Sequence, residues 1–246
     1  MDLRLDLTQP LAPAGGRHRA AVVRARPYDR VKRSIDVIGA LTVLVLAAPV
    51  MACVALVVLV TMGRPVLFRH TRPGRHGRLF DMVKFRTMHP VDPTRGRVSD
   101  SDRLTRVGRW LRSTSLDELP ELWNVVRGEM SLVGPRPHLV SYLDLYTPEQ
   151  ARRHDVRPGM TGLAQVRGRN QLGWEEKFRY DVAYVDGRSF LLDLRILAET
   201  VRVVLRREGI AAPGTDTWHE WQGSVDRETV AAVNGGVEPA VRSAHS

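Results

Sequence analysis

Cysteine is almost absent from this sequence, in which Cys53 is the single one. A disulfide needs two cysteines and a multi-cysteine zinc site needs several, so the sequence excludes both an intramolecular disulfide and such a zinc site. The class of small secreted domains held together by disulfides is therefore excluded.

Lysine is nearly as scarce, because only Lys32, Lys84 and Lys177 accompany the many arginines. A guanidinium can bind two phosphate oxygens at once, so an arginine-rich protein is suited to phosphate recognition. A genome that favours arginine codons produces the same bias, and it is the stronger explanation of the composition as a whole. Arginine content alone is thus weak support for a phosphate site.

Several familiar catalytic motifs are also missing. The sequence contains no P-loop, no GxGxxG, no GxSxG and no HExxH pattern. It therefore gives no support to an ATP-type or dinucleotide-binding cradle, a hydrolase nucleophile elbow or a zinc protease site.

Residues 37–62 contain no charged residue, although the whole chain has a net charge of +10. As a straight helix this segment would extend about 39 Å, more than the roughly 30 Å hydrocarbon core of a bilayer. Pro49 lies near its centre, where it removes a helix hydrogen bond and kinks or breaks the helix. The segment is therefore predicted to enter the membrane and to change direction at Pro49.

Both flanks of this segment are basic, so the positive-inside rule assigns no orientation to it. Arginines and one lysine occupy both sides: Arg24, Arg26, Arg30, Lys32 and Arg33 before it, and Arg64, Arg69, Arg72, Arg75 and Arg78 after it. A re-entrant hairpin that returns both flanks to one anionic surface explains this pattern. A kinked single span is equally compatible with these residues alone.

The remaining pattern divides the chain into four parts. Residues 1–27 are predicted to be a flexible basic arm, 28–64 the membrane helix, 65–209 a compact catalytic domain, and 210–246 a weakly ordered tail. Within the domain, alternating residues around Pro73-Gly74 predict a short β-hairpin. Helical spacing predicts four helices, over Leu119–Arg127, Pro148–His154, Trp174–Tyr184 and Phe190–Arg207. The expected fold class is mainly α with a small β element (α+β).

A further helix is predicted around Leu104–Leu111, where arginines recur every third residue at positions 103, 106, 109 and 112. Its apolar residues recur at helical spacing, which predicts a basic amphipathic helix. Beside a membrane segment, such a helix is better interpreted as lying in the headgroup layer than as an ordinary solvated helix.

Two adjacent carboxylates, Asp117 and Glu118, are the main candidates for catalysis. Neighbouring carboxylates can divide labour, one attacking a substrate while the other binds a hard cation such as Mg²⁺. The structural alternative is a capping box, Ser115-x-x-Glu118, with Asp117 as N-cap of a following helix. From spacing alone, the capping interpretation is favoured.

The run from Gly134 to His138 is a rigid, proline-rich turn that presents Arg136 and His138. Rigidity favours anion binding because less entropy is lost on association. A purely structural turn explains the run equally well. Lys84 and Arg86 could similarly line a phosphate site or belong to a strand with alternating exposure.

Taken together, these motifs make the sequence resemble the bacterial sugar transferase family of monotopic phosphoglycosyl transferases, from about Tyr28 to Gly209. The resemblance is carried by ordered motifs: Lys32-Arg33-x-x-Asp36, Lys84-Phe85-Arg86-Thr87-Met88, Leu104-Thr105-Arg106-x-Gly108, Ser115-Leu116-Asp117-Glu118-Leu119-Pro120, Asn124-Val125, Gly134-Pro135-Arg136-Pro137 and Arg157-Pro158-Gly159-x-Thr161-Gly162.

This resemblance implies transfer of a sugar-1-phosphate from a nucleotide diphosphosugar, usually a UDP-sugar, to undecaprenyl phosphate. The transfer takes place at the cytoplasmic face of the bacterial membrane, and an anionic phospholipid surface is the expected environment. UMP is released, and an aspartyl phosphosugar forms as a covalent intermediate. A monotopic fold with a proline-broken re-entrant helix and amphipathic interfacial helices is also implied, and this favours the hairpin over the span.

Carried over by residue, the resemblance implies that Asp117 is the nucleophile and Glu118 a Mg²⁺ ligand. Arg136, with Pro137 and His138 of the same turn, would bind the donor, and Arg112 a lipid or acceptor phosphate. Lys84 and Arg86 would support phosphate binding.

The chain departs from its relatives before Pro49, where serine is common and this chain has Ala48. An alanine cannot donate a hydroxyl hydrogen bond to the carbonyls that the proline frees. Larger relatives carry a multi-span N-terminal region, and this chain resembles the minimal catalytic form.

Two alternative functions were weighed. A nucleic-acid binder is disfavoured by the low aromatic content of 6% and by the lack of a helix-turn-helix pattern. A catalytically silent scaffold for glycan assembly is disfavoured by the intact Asp117-Glu118 pair.

Overall fold

The computed structural model describes residues 26–168, 172–206, 221 and 223. Eight helices and four strands lie in these ranges. The helices are α1 Pro27–Met62, α2 Asp100–Arg103, α3 Arg106–Thr114, α4 Glu121–Arg127, α5 Pro148–Ala151, α6 Leu163–Arg167, α7 Trp174–Gly187 and α8 Phe190–Arg206. The strands are β1 Leu67–Pro73, β2 Leu79–Phe85, β3 Ser131–Val133 and β4 Gly159–Thr161. The expected α+β class, mainly helical, is confirmed.

Helix α1 contains the charge-free segment and is long and apolar enough to cross a membrane. It is helical over all 36 residues, with Pro49 inside it. Of the two alternatives that the sequence leaves open at Pro49, a kink or a break, the secondary structure shows no break, and the re-entrant path stays a prediction. A proline interrupts only the bond to the carbonyl four residues earlier, here that of Val45, so the helix can continue through it.

Both arms of α1 pack against the rest of the protein. Ala40 in the first arm is buried with Met82 and Val125. Val54 and Val58 in the second arm are buried against Phe85 and Leu111 in a separate cluster. None of the residues between these two contacts, 41–53, is fully buried.

Polar contacts fix the start of α1 to the domain. The Asp36 carboxylate accepts hydrogen bonds from the Ser131 hydroxyl at 2.7 Å and the Leu132 amide at 3.1 Å. Arg33 donates to the carbonyls of Val125 and Val126 at the end of α4. The Lys-Arg-x-x-Asp motif therefore binds α1 to α4 and β3, since the cation of Arg33 satisfies carbonyls that a helix end leaves free.

Strands β1 and β2 form the predicted antiparallel hairpin, with Leu67 opposite Phe85 and Pro73 opposite Leu79. Strands β3 and β4 form a second, parallel pair that the sequence did not predict. Their backbones approach so closely that a Cβ on Gly159 would lie 2.1 Å from the Gly134 nitrogen. A glycine is required there because any side chain would collide with the neighbouring backbone.

The predicted basic helix is present in a divided form, as α2 and α3. Leu104 between them bridges to Met88, and the Thr105 hydroxyl caps α3 by accepting from the Gly108 amide at 2.8 Å. Gly108 and Leu111 face the core, whereas Trp110 is half exposed. The amphipathic character of α3 is confirmed, while its interfacial location stays a prediction.

The predicted helices near Pro148, Trp174 and Phe190 are confirmed as α5, α7 and α8. Helix α5 ends at Ala151, and a 3-10 turn continues to Asp155. The predicted arm, up to residue 25, lies outside the described residues. So does the predicted tail, apart from Trp221 and Gly223, and Trp221 is 6% exposed.

Candidate active site

Asp117 and Glu118 lie in a short 3-10 turn, Leu116–Glu118, between α3 and α4. Ser115 adopts a left-handed backbone (φ 57°, ψ 17°), and its amide closes the end of α3. Its side chain makes no capping hydrogen bond, and α4 begins only after Pro120. The capping interpretation of these residues is therefore wrong, because Ser115 ends one helix rather than starting the next.

Two cations hold Glu118. Lys84 Nζ lies 2.7 Å from Glu118 Oε1, and Arg136 Nη2 makes a short ion pair with the same oxygen. Burial alone would raise the pKa of the Glu118 carboxyl, but Arg136 and Lys84 outweigh it and hold this pKa well below its usual range. Glu118 is therefore an anion, fixed in position by residues from β2 and from the proline-rich turn.

Glu121, which sequence reasoning missed, joins this cluster. Its side chain is fully buried, and its Oε1 lies 3.0 Å from Lys84 Nζ. Burial and the neighbouring Glu118 raise the pKa of the Glu121 carboxyl to about 7. The sequence signal that could have found Glu121 is the presence of three acidic residues, Asp117, Glu118 and Glu121, within five positions. Three carboxyl groups so close together inside a compact domain require a cation to compensate their charge.

The Asp117 carboxylate differs from its neighbour. Its residue is 6% exposed, and among the described residues it accepts no hydrogen bond. Burial and the charge of Glu118 raise the pKa of Asp117 above its usual value, against the opposing effects of Lys84 and Arg112. A carboxylate that is poorly solvated and unpaired is a stronger nucleophile than one held by a cation. The two acids are thus set apart by their surroundings, as different catalytic roles require.

A buried arginine, Arg153, supports the turn that carries Arg136. Arg153, nearly fully buried, donates from Nη2 to the Arg136 carbonyl at 2.6 Å and to Asp181 at 2.7 Å. Its Nη1 donates to the Tyr146 hydroxyl at 3.0 Å. Arg153 was not identified from the sequence, because its partner Asp181 lies on α7, far along the chain.

The structure places His138 and Pro137 beneath the surface of the site. The His138 ring packs edge-on against Trp174, with ring centroids 5.2 Å apart, and against Phe178 at 5.8 Å. Burial, with Arg153 and Arg136 nearby, lowers the pKa of His138 well below its usual value. His138 is therefore a neutral member of an aromatic cluster, and Pro137 beside it is buried.

Arg112 lies on the exposed side of α3, close enough to lower the pKa of Asp117. Its Nε donates to the Thr87 hydroxyl at 3.1 Å, which directs the guanidinium along the edge of the site. A Cβ on Gly108 would lie 1.9 Å from the Thr87 carbonyl oxygen, so only glycine lets α3 approach this closely.

Arg86 is not brought to the carboxylate cluster. Its guanidinium donates to the carbonyls of Arg64 at 3.1 Å and Gly63 at 2.7 Å, and makes a short bond to that of Met62. These contacts place a cation at the C-terminal end of α1, where the helix leaves carbonyls unpaired. The predicted site residues therefore divide, with Lys84, Arg112, Asp117, Glu118 and Arg136 around one cluster and Arg86 at the helix end.

An apolar groove runs beside the site, between the second arm of α1 and helix α3. Its volume is about 290 Å³, and its lining includes Pro49, Val50, Cys53, Trp110, Leu111 and Leu116. Leu116, one of these lining residues, directly precedes Asp117 in the chain.

A charged cluster beside a long apolar helix fits an enzyme that joins a polar substrate to a lipid. Comparison with known proteins identifies the class as sugar transferases. The chain matches the bacterial sugar transferase family over residues 27–207. It is 48% identical to the uncharacterized sugar transferase EpsL of Bacillus subtilis over 197 residues, which cover 80% of this chain and 98% of that protein.

Other relatives carry more specific names. The chain is 43% identical over 208 residues to a UDP-glucose:undecaprenyl-phosphate glucose-1-phosphate transferase of Caulobacter vibrioides, covering 79% of this chain and 75% of that protein. It is 38% identical over 198 residues to an undecaprenyl-phosphate galactose phosphotransferase of Salmonella typhimurium, covering 73% of this chain and 41% of that protein. This chain belongs to the bacterial sugar transferase family, so the resemblance and the expectation of a transferase are confirmed.

Proposed function

We propose that this protein transfers a sugar-1-phosphate from a UDP-sugar to undecaprenyl phosphate at the cytoplasmic face of the bacterial inner membrane. The observation that carries the proposal is the contrast between the buried, unpaired Asp117 and the cation-bound Glu118 beside it. The names of the Caulobacter and Salmonella relatives support the substrate classes. The reaction would begin the assembly of a polysaccharide or glycoconjugate on the lipid.

In the first half-reaction, an oxygen of the Asp117 carboxylate attacks the β-phosphorus of the donor. The new oxygen–phosphorus bond forms as the bond from the β-phosphorus to the bridging oxygen breaks, and UMP leaves with that oxygen. A carboxylate approaching a diphosphate is repelled by it, so the cations Arg136, Lys84 and Arg112 around Asp117 lower the cost of the approach. The product is an acyl phosphate linking Asp117 to the sugar.

In the second half-reaction, a phosphate oxygen of undecaprenyl phosphate attacks the same phosphorus. The bond to Asp117 breaks, the carboxylate is restored, and a lipid-linked diphosphosugar is released. A covalent intermediate allows a soluble donor and a membrane-bound acceptor to use one site in turn. Arg112, exposed on the membrane-facing helix α3, is suited to bind the acceptor phosphate.

We propose Mg²⁺ as the cofactor, with Glu118 as its protein ligand. Both ion pairs of Glu118 fall on Oε1, and within the described part of the chain no group donates a hydrogen bond to Oε2. Among the same residues, no cluster of three or more His, Cys, Asp or Glu side chains could hold a metal alone. Mg²⁺ commonly takes one or two carboxylates and adds water and substrate phosphates. When bound, it would neutralise charge on the donor diphosphate.

The apolar groove supports a lipid acceptor. It lies between α1 and α3, and its lining includes Leu116, the residue before Asp117, so an isoprenoid chain bound there would have its phosphate near the site. Apolar side chains would bind such a chain through the area that both remove from water.

A re-entrant topology is part of the proposal. The part of α1 in which no residue is fully buried, 41–53, would extend about 20 Å as a helix, which is shorter than the roughly 30 Å hydrocarbon core. Both arms contact the domain, and a straight span would take one arm to the far side of the bilayer. A kink at Pro49 that keeps both arms with the domain satisfies these contacts.

The test is to supply the purified protein with Mg²⁺, undecaprenyl phosphate and a panel of UDP-sugars, and to measure UMP. We expect release with at least one donor, and loss of release in Asp117→Asn, which removes the attacking charge at constant size. No release with any donor would favour the silent scaffold. Equal release from Asp117→Asn would overturn the role of Asp117.

A further inference from the structure

Arg72, on β1, is a half-buried cation that sequence reasoning left outside the site. Within the ranges that the structure describes, it makes no ion pair, and its Nε is buried without a hydrogen-bond partner. Its Nη2 lies 3.1 Å from His70 Nδ1, and this nitrogen must accept because a guanidinium only donates. The described residues thus give Arg72 one neutral hydrogen-bond partner and no ion pair, although the Glu121 carboxyl is near enough to raise the pKa of Arg72 against the effect of burial.

The hairpin brings Arg72 to the same face as Lys84. Arg72 pairs with Phe80 and Phe68 pairs with Lys84, so alternate residues of the two strands place both cations on one side of the sheet. Pro73, the next residue, lines a crevice together with Pro135 and Arg136. This crevice places Arg72 near the turn that carries Arg136, and burial together with the charge of Arg136 lowers the pKa of Arg72.

Such an arrangement is costly without an anion. A buried or half-buried charge loses hydration, and a second cation beside it adds repulsion. Arg136 recovers this cost in its ion pair with Glu118, whereas Arg72 makes no ion pair within the described ranges, and its nearby carboxyl, Glu121, is already paired with Lys84. A diphosphate carries several negative oxygens over a span that two adjacent guanidinium groups can share. The ligand that would complete the surroundings of Arg72 is therefore a dianionic or trianionic phosphate group.

We infer that Arg72 is a second donor-binding arginine, which binds the diphosphate of the nucleotide sugar beside Arg136. The inference rests on the proposed function for its substrate and adds a residue to it. Arg72 contributes to binding the donor before and during attack by Asp117, and it has no part in binding the lipid acceptor.

The experiment compares wild type, Arg72→Gln and Arg72→Lys in two assays, UDP binding by calorimetry and steady-state UMP release. We expect Arg72→Gln to weaken UDP binding and raise the donor KM by at least about tenfold, with an unchanged KM for undecaprenyl phosphate. Arg72→Lys keeps the charge but loses the fork, so it should recover part of the affinity. Arg69→Gln removes the same charge from an exposed position on β1 and is the matched control.

A stability measurement separates binding from a structural role. Because Arg72 makes no ion pair with the described residues, Arg72→Gln should melt at the same temperature as Arg69→Gln or higher. Unchanged UDP binding and donor KM in Arg72→Gln would overturn the inference while leaving the proposed function intact. A lower melting temperature with a normal donor KM would assign Arg72 a structural role instead. If wild type released no UMP, the proposed function would fail, and UDP binding would still decide the part of Arg72.

Discussion

At the scale of single residues, the site consists of neighbouring carboxyl groups whose surroundings give them different charges. Among the described residues Asp117 has no hydrogen-bond partner, Glu118 is held by Lys84 and Arg136, and Glu121 is fully buried against Lys84. Burial and the charge of Glu118 outweigh the effect of Lys84 on Glu121 and raise the pKa of this carboxyl to about 7. Glu121 is therefore expected to keep its proton at mildly acidic pH.

This arrangement predicts that Glu121 makes the protein less stable as the pH rises. Glutamate in the unfolded chain has its ordinary pKa of about 4.5, whereas burial and Glu118 raise the pKa of folded Glu121 to about 7. Between these values the unfolded state binds fewer protons, so the free energy of unfolding falls with rising pH, by about 3 kcal/mol in total. Above pH 7 both states have lost the proton and this contribution is constant.

Glu121→Gln should remove this dependence, because the amide does not titrate. Denaturation at pH 5 and pH 8 measures the effect, with Glu149→Gln as a control that removes a surface carboxyl. We expect the stability of Glu121→Gln relative to wild type to increase between the two pH values. The same difference at both would contradict the assignment of the proton to Glu121.

The sequence identified Asp117, Glu118, Lys84, Arg112 and Arg136 but not the contacts that set their roles. Spacing favoured a capping box at Ser115, and it failed because the left-handed backbone of that residue depends on the packing of α3. Glu121 and Arg153 were missed because their partners lie on other elements, and Arg72 was missed because the turn that carries Arg136 lies far from it along the chain. Local patterns record helix ends and strands, whereas buried ion pairs arise only when distant segments meet.

At the scale of elements, the site depends on how α1, the hairpin and the proline-rich turn are attached to one another. Arg86 joins α1 to the hairpin, because its guanidinium donates hydrogen bonds to three carbonyls at the end of α1. Arg153 supports the proline-rich turn. Tyr146 links Arg153 to the aromatic cluster of Tyr142, Phe178 and Trp221.

Arg86→Ala should destabilise the protein by about 2 kcal/mol, since it leaves carbonyls at a helix end without a charged donor. Arg69→Ala, on the exposed side of β1, is the control and should have little effect. Thermal melting in detergent or nanodiscs measures both variants. A large rise in donor KM without loss of stability would instead support the expectation that Arg86 binds phosphate.

Trp221 lies beyond the residues matched by the family and yet packs in the aromatic cluster, 5.1 Å from Tyr146 between ring centroids. Its amide donates to the Tyr142 hydroxyl at 3.0 Å. Arg153 donates hydrogen bonds both to the Tyr146 hydroxyl and to the Arg136 carbonyl, so the Trp221 ring is connected to the backbone of Arg136 through Tyr146 and Arg153.

Trp221→Ala is therefore expected to raise the donor KM by about tenfold, because a small displacement of Arg136 weakens phosphate binding. Trp221→Phe should restore most of the affinity, since an aromatic ring still fills the cluster. Ile196→Ala, which opens a cavity in a different core cluster, should lower stability by about 3 kcal/mol with an unchanged donor KM. If Trp221→Ala matched Ile196→Ala in both measurements, Trp221 would have no positioning role.

Longer helices and strands were predicted from the sequence more successfully than short ones. The hairpin and the longer helices were predicted because several residues report one period. The parallel pair β3–β4 was missed because each strand has three residues, too few for a pattern, and their pairing joins segments far apart in sequence. The continuity of α1 through Pro49 also escaped prediction, because a proline indicates a kink without determining whether the helix ends.

At the scale of the whole molecule, the net charge of +10 and the charge-free segment have one explanation in the proposed function. Basic residues on both flanks of α1 would lie at the same anionic surface, and the domain would cover both arms. The composition predicted membrane association, and the contacts of both arms with one domain add the support for a re-entrant path.

Cysteine labelling tests this topology, because Cys53 is the single cysteine and Cys53→Ala gives a clean background. Arg30→Cys and Arg69→Cys place exposed thiols on the two flanks. A membrane-impermeant maleimide should label neither in intact cells and both after the membrane is opened. Cys53 itself should stay inaccessible from the periplasm, and labelling of either flank in intact cells would establish a single span instead.

The most direct test of the central claim is the mass of the intact protein after incubation with Mg²⁺ and a UDP-sugar, without acceptor. The account predicts an added sugar phosphate on Asp117, formed with no more than one UMP per protein and discharged by undecaprenyl phosphate. Asp117→Asn should carry no adduct. An adduct on another residue, or turnover to the lipid product with no adduct in a rapidly quenched reaction, would contradict it.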